Sequence, residues 1–402
     1  MQRVYLDHNA TTPMREEARE VLLELTAKLL GNPSSLHAGG RAARAYIAEA
    51  RERVAQALGV AEDEVTFTSG ATEANNLALF GSMEAIDPSP DPNGDRPGLL
   101  TIGTEHSSVF EPACALERRG YARHVAAVDR AGLPVLEDVQ RLLETERVDV
   151  VSISAANGEN GAVPDLAGLV RVVSDHGRKH IMFHTDAVQA LGRVPLSLDG
   201  IDLASFSAHK LGGPPGVGVL WRRAGTPLVP RLFGGAQESE LRPGTENAPA
   251  IYAAAVAIEL AENERVRYAE RTDEHTRFLW SELQLALPTA RLIGPAFPST
   301  PNDPLAGRRL PNTLCVSIPE TDGRVLVTRL DLAGLEASAG SACASGSAEP
   351  SHVLQAMGYD DDDARSGLRL SLGRNTSRED CKRASSIMKK VFAPTDASRV
   401  TS

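Results

Sequence analysis

Short apolar runs alternating with helical stretches predict an α/β protein, with a mainly parallel central sheet in a large domain and a smaller α+β domain at the C-terminal end. Two further observations point the same way. At 402 residues the chain exceeds the size at which one core usually keeps growing. Its 42% hydrophobic content can fill a full core, and aromatics at 4% make that core aliphatic. The domains are expected at 14–260 and 261–402, with the N-terminal segment 1–13 associated with the second.

The stretch 41–58 reads as a helix, with Ile47, Val54 and Leu58 on one face and Gly59 as its stop. Residues 65–68 form a short strand, and a helix follows from 72 to about 83. Further strands are expected at 99–103, 123–128, 148–154, 180–184, 203–206 and 217–221. Helices at 109–119, 136–144 and 166–175 separate several of them. Strands that alternate with helices pair in parallel, and such sheets hold ligands at their carboxyl edge. The stretch 87–98 consists of turn-forming residues and should be an exposed loop. A long helical stretch, 250–287, links the two domains, and 313–318, 325–332 and 368–372 suit the smaller one. Beyond Val391 a frayed tail is expected.

A formal charge of −11 and the lack of a Lys/Arg-dense stripe argue against a nucleic-acid partner. No segment approaches the ~18 uninterrupted apolar residues of a membrane span. The N-terminus enters a polar motif at once and does not read as a signal peptide. Cys114, Cys315, Cys343 and Cys381 lack metal-ligand spacing and are too few for a disulfide framework. No metal site is expected, and the reducing cytoplasm is the expected compartment.

Lys210 follows a short apolar run, with Ser207 and His209 before it and Gly212 and Gly213 after it. A lysine so placed can form a Schiff base with an aldehyde cofactor whose polar groups Ser207 and His209 would bind. Asp186 ends another apolar run, Ile181 to Phe183. An enzyme using pyridoxal 5′-phosphate (PLP) needs such an acid to keep the pyridine nitrogen protonated. Taken singly, Lys210 reads as a solvated surface charge and Asp186 as a helix cap. In the turn Thr68-Ser69-Gly70-Ala71-Thr72, Gly70 permits close backbone approach, and the amides of Ala71 and Thr72 open a helix beside the Thr72 hydroxyl. That is an anion site, or an ordinary capped helix. His106, also just after a strand, can lie flat on a pyridine ring and exchange protons with substrate, or merely cap a helix.

The segments Tyr5–Pro13, Gly31–Ser35, Ser69–Asn75, Thr104–His106, Asp186–Gln189 and Ser205–Gly216 together resemble the cysteine desulfurases, PLP enzymes of fold type I in the class V aminotransferase superfamily. The resemblance runs in order from Tyr5 to about Asn375. It implies that Lys210 holds PLP, Asp186 pairs with the pyridine nitrogen, Gln189 bonds the ring hydroxyl and His106 stacks on the ring. Ala71, Thr72, Ser207 and His209 would surround the phosphate. Thr245 would reach the phosphate of a neighbouring subunit, which implies a homodimer. One position departs from the family pattern. Where two adjacent asparagines are usual, this chain reads Asn157-Gly158-Glu159-Asn160-Gly161. The second asparagine bonds the ring oxygen, so Asn157, Asn160 or Gln189 must supply that contact, and Gly158→Asn is expected to be tolerated with slightly tighter PLP.

Residues 336–351 are mostly small and show no apolar period, so a mobile loop is expected there, with Cys343 within it. Alone, Cys343 is as readily an incidental small residue. The segment resembles the persulfide-cysteine loop of group I desulfurases, the nitrogen-fixation and iron–sulfur-cluster type. That implies L-cysteine as substrate, L-alanine as product, and sulfur passed from Cys343 to an acceptor protein such as an iron–sulfur scaffold. Arg369 can grip a substrate carboxylate in a bidentate fork and aligns with the family's carboxylate-binding arginine, with Asn32 as second contact. Selenocysteine lyase is the alternative enzyme, and a catalytically silent interaction homologue the alternative class. Cys114, Cys315 and Cys381 read as structural.

Overall fold

Strands buried on both faces need no polar alternation, and this is why the short apolar runs of the first half come together in one central sheet. The protein is described here from a computed structural model covering residues 3–28, 30–91, 94–177, 180–300, 303, 305–340 and 350–392. In chain order, its first elements are β1 (Val4–Tyr5), α1 (Glu16–Ala27), α2 (Ala38–Leu58), β2 (Val65–Thr68), α3 (Ala71–Ile86), β3 (Gly98–Ile102) and α4 (Ser107–Arg118). Then come β4 (Ala122–Ala126), α5 (Leu136–Thr145), β5 (Val150–Ser152), α6 (Leu166–Ser174), β6 (Met182–Asp186), β7 (Leu203–Ser207) and β8 (Gly218–Arg222).

These strands, β1 apart, form a seven-stranded sheet in the order β2-β8-β7-β6-β5-β3-β4. Pairing is parallel from β7 to β4, while β8 runs antiparallel to both of its neighbours. All five residues of β3, β6 and β7 are buried. The mainly parallel sheet expected from sequence is therefore present, with one reversed strand.

The second half begins with α7 (Ala248–Asn263), α8 (Arg265–Ala286), β9 (Arg291–Ile293), β10 (Thr313–Ser317), α9 (Gly323–Leu332), β11 (Leu335–Glu336) and β12 (Ser338–Ala339). It ends with α10 (His352–Ala356), α11 (Asp361–Arg365), β13 (Gly367–Ser371) and α12 (Arg378–Phe392). An antiparallel sheet β12-β13-β10-β9 has its own core, in which Leu314, Val316, Leu368 and Leu370 pack on α8 and α12. The chain's first strand joins this half, because β1 pairs in parallel with β11 through Val4 and Leu335.

Several expected bounds move. The stretch 250–287 is two helices, which part at Glu264 without a glycine or proline. The cause lies in their partners, since α7 packs on α1 and α2 and α8 packs on α12. The strand expected at 180–184 runs two residues further, because Asp186 keeps the ladder with Ser205 and so becomes the last strand residue. Helix α2 starts before Arg41 because His37 caps it through the Gly40 amide. Within the expected loop 336–351, Ser338 and Ala339 pair with Arg369 and Leu368. Residues 341–349, Cys343 among them, lie outside the described residues, as does the tail from 393.

Candidate active site

Asp186 closes β6 at the carboxyl edge of the central sheet and is 6% exposed. Burying a carboxylate is costly unless donors meet it. Here the Asn75 side chain donates to Oδ2 at 2.8 Å and the Val188 amide to Oδ1 at 3.0 Å. Asn75 is fully buried among Ala74, Leu77 and Ala78 on α3. Its Nδ2 also donates to Ser108 Oγ at 2.8 Å. Ser108 Oγ lies 2.7 Å from His106 Nδ1, and the Ser108 amide donates to that same nitrogen at 3.1 Å. A nitrogen that accepts a backbone N–H carries no proton, so neutral His106 holds its proton on Nε2. The acid and the histidine are thus fixed through one asparagine and one serine.

Beneath His106 lies Glu105, fully buried, with Oε1 accepting from the Ser154 amide at 2.8 Å and Oε2 from the Ser154 hydroxyl. Burial pushes the Glu105 carboxyl up to about 8, and the nearby Asp186 charge adds to the rise against the opposing Ser154 bonds. Burial likewise pulls His209 down to about 4, helped by the charges of Lys210 and Arg193.

Lys210 sits in a single helical turn after β7. Its Nζ donates to the carbonyls of Asn9 and Ala10, both at 2.6 Å. Asn9 is a hub: its carbonyl also accepts from Gln189 Nε2 at 3.1 Å, and its Oδ1 accepts from Arg193 and Asn312 at 3.0 Å each. Arg193 donates in addition to Gln189 Oε1 and to the Lys210 carbonyl.

Gly158 is packed against the end of the Gln189 side chain. A Cβ there would lie 2.7 Å from Gln189 Nε2 and 3.0 Å from its Cγ, so the glutamine occupies the space an asparagine stem would need. Asn157 and Asn160 are both committed elsewhere. Asn157 donates to the Thr104 carbonyl and accepts from the amides of Glu159 and Asn160. Asn160 donates to Met357 sulfur and accepts from the Ala162 amide. Gln189 is therefore the side chain that moves into the gap, and Gly158→Asn must displace it.

The turn at 68–72 is a cradle open to an anion. Ala71 and Thr72 begin α3, where first-turn amides have no intrahelical acceptor. Strand β8 presses against this turn, since a Cβ on Gly218 would come within 2.4 Å of the Gly70 backbone. Gly218 is paired with Ser207 at the end of β7, which places the Ser207 side of the site beside the cradle. His209 is turned to Thr11, with Nδ1 3.1 Å from the Thr11 hydroxyl. Thr245 is exposed, and its loop is tied to the cradle by Arg242, whose Nε donates to Glu73 at 3.0 Å. The buried acid at 186, the lysine at 210 and the open cradle at 70–72 are the three attachment points that PLP requires, so the residues present fit that group.

Arg369, on β13, is 5% exposed. Its Nη2 meets Asp7 Oδ1 at 2.8 Å and its Nη1 donates to the Gly158 carbonyl at 3.1 Å, while among the described residues its Nε has no partner. Asn32 is exposed, and its Oδ1 accepts from the Ser34 amide in a local turn. Glu159, whose carboxyl burial pushes up, accepts from Ser351. A Cβ on Gly340 would come 2.7 Å from Glu159 Oε1, so this acid touches the chain on both sides of 341–349.

Residues 4–383 match the family model described as aminotransferase class-V. The chain belongs to the class-V aminotransferase family. Among its relatives in this family, the cysteine desulfurase IscS of Dictyoglomus turgidum is 38% identical over 391 residues, spanning 97% of this chain and 94% of the relative. The cysteine desulfurase NifS of Azotobacter vinelandii is 37% identical over 386 residues, covering 95% and 91%. A solved structure titled NIFS-like protein superimposes with a TM-score of 0.87 at 34% identity, covering 97% of this chain and 99% of that one. Another, titled SspA in complex with cysteine, gives 0.76 at 29% identity, covering 92% and 98%. The architecture is that of PLP fold type I.

Sequence reasoning missed Asn9, Asn75, Glu105, Glu159 and Arg193 as site residues. The only signal for Asn75 was a polar residue in the apolar stripe of α3, and for Glu105 a carboxylate next to His106. Asn9 gave none, since its partners Gly158, Thr313 and Ser371 lie about 150 to 360 positions away, and the i, i+4 pair of Gln189 and Arg193 reads as an ordinary helical contact.

Proposed function

We propose that the chain is a PLP-dependent cysteine desulfurase that converts L-cysteine to L-alanine and leaves the sulfur as a persulfide on Cys343. The observation that carries this is the fixed pair of Asp186, held by Asn75 and the Val188 amide, and Lys210 across the same sheet edge. PLP bound there supplies an electron sink for removal of the substrate Cα proton. Asp186 places a negative charge for the ring nitrogen, Gln189 offers an amide to the ring oxygen, and Ala71, Thr72, Ser207 and His209 enclose the phosphate. Arg369 takes the substrate carboxylate by exchanging it for Asp7, with Asn32 at the rim. Lys210 accepts the Cα proton, and His106 exchanges a proton at the substrate sulfur through Nε2. The Cys343 thiolate attacks that sulfur; an S–S bond forms, the Cβ–S bond breaks, and its electron pair is protonated on the way to alanine.

A homodimer is supported by exposed Thr245 together with exposed Leu232, Phe233 (87%) and Leu36, apolar surface that a second copy would cover. A division into 14–260 and 261–402, with 1–13 joined to the second part, is supported by the separate cores and the β1–β11 pairing. The acceptor we infer is a protein of the iron–sulfur scaffold type. Cytoplasmic residence is supported by the free thiols Cys114, Cys315 and Cys381. Among the described residues no helix is long and apolar enough to cross a membrane.

The deciding experiment supplies L-cysteine to the holoenzyme and to Cys343→Ser. The parent should release alanine and carry a persulfide, while the variant should keep the cofactor and its spectral response to cysteine yet lose at least ~100-fold in alanine release. Undiminished turnover in the variant would show that another thiol takes the sulfur.

A further inference from the structure

Lys210 also lines a cavity of about 40 Å³ whose lining includes neither Thr72, His106 nor Asp186. Its charged lining is Arg15, Arg193, Lys210 and Arg374 against one carboxylate, Glu264. Glu264 is already paired with Arg15 at 2.9 Å. Arg193, 2% exposed, directs its described hydrogen bonds to neutral oxygens: two side-chain carboxamides and the Lys210 carbonyl. Arg374, half-buried, reaches the carboxamide of Asn375 at 3.4 Å, and the carboxylates that act on it, Glu264 and Glu17, make no ion pair with it. Burial lowers both guanidiniums' hold on their protons, and Arg15 adds to the effect at Arg374. His8, 6% exposed, lines the same cavity, and among the described residues its Nδ1 has no hydrogen-bond partner within ordinary geometry. The ring is seated there by Gly373, where any Cβ would come within 2.2 Å of it.

Buried positive charge without a counter-charge is costly, and such groups in folded proteins are paired. When Lys210 turns to the cofactor, the two guanidiniums and the His8 ring still face a space larger than the ~10–15 Å³ one water needs. That space is too small for an organic phosphate. We propose that this cavity is a binding site for a small inorganic monoanion of the halide type, held between Arg193 and Arg374 with His8 at its edge. The site is distinct from the cofactor's phosphate cradle. It lies one guanidinium away from the Lys210 backbone, so its occupancy offsets the charge of Arg193, the residue that ties Gln189, Asn9 and Lys210 together.

Crystals of the holoenzyme soaked in sodium bromide test this directly. An anomalous difference peak is expected in the cavity, within hydrogen-bonding distance of Arg193 and Arg374. In solution, bromide should raise the melting temperature of the holoenzyme saturably by about 2–4 °C over isethionate, an anion too large for the cavity, at equal ionic strength. Arg374→Gln should lose that rise, and Arg374→Lys should keep part of it. A cavity without an anomalous peak would overturn the proposal, as would an equal bromide effect in Arg374→Gln. The soak of the parent protein decides the matter even if the variant fails to fold.

Discussion

Around Asp186 the polar partners come from the central sheet and the helices packed on it, whereas around Arg369 they come from the first residues of the chain and from the Gly158 backbone. The acid is held by neutral donors that nothing needs to displace, which suits a group serving a permanent cofactor. The arginine is held by a carboxylate, Asp7, which a substrate carboxylate of the same chemistry can replace. One region is preorganised for a resident and the other is kept charged for a visitor.

The comparison breaks most completely at Lys210. Lys210→Ala should lose the absorbance of covalently held cofactor and all measurable alanine release, whereas a variant turning over at the parent rate would remove the lysine from the site. Next in size is Arg369→Gln. Loss of a charge-assisted fork worth about 1.5–3 kcal/mol should raise KM for cysteine by roughly 10- to 100-fold. Cofactor affinity should change little, because no Arg369 contact reaches the Asp186 network. A matched loss of PLP would erase the distinction between the two regions.

A smaller effect concerns Glu105. Its carboxyl in the folded protein titrates near 8, above the unfolded value of about 4.5. The folded state therefore binds the extra proton between those values, and stability on this account falls as pH rises from about 4.5 through 8. Glu105→Gln should flatten that slope, measured as melting temperature against pH. A slope identical to the parent's would show that Glu105 is ionised throughout. The smallest change is expected at Gly158→Asn. Displacing Gln189 loses its bond to Asn9 and disturbs Arg193, so PLP should bind about 5- to 10-fold more weakly, the equivalent of ~1 kcal/mol for one hydrogen bond. Equal or tighter binding by titration would show that Gln189 swings aside freely.

Much of this was legible in the chain because parallel strands and their ends leave local marks. The apolar runs before Asp186 and Lys210 located both side chains at one sheet edge, and Gly70 marked the cradle between β2 and α3. What stayed hidden was set by distance. Asn9 bonds Gly158, Thr313 and Ser371, pairings that no local pattern encodes. The pull of Gln189 into the space at Gly158 follows from side-chain packing, and the break at Glu264 follows from two helices having different partners. The reversed strand β8 was likewise invisible, because a fully buried antiparallel strand has the same composition as a parallel one.

The hub at Asn9 has a consequence for synthesis. Residue 9 is made well before Thr313 and Ser371, which hold it, and the strand ahead of it well before its partner Leu335. At about 5–20 residues per second the early segment waits tens of seconds for its partners. During that interval the seven-stranded sheet, with every strand complete by Arg222, can already close around Asp186. The carbonyls that receive Lys210 are then held only by partners made earlier, Gln189 and Arg193 among them. A nascent chain can thus seat its acid before the segment that meets its lysine has all of its partners, the last of which to be made are Thr313 and Ser371.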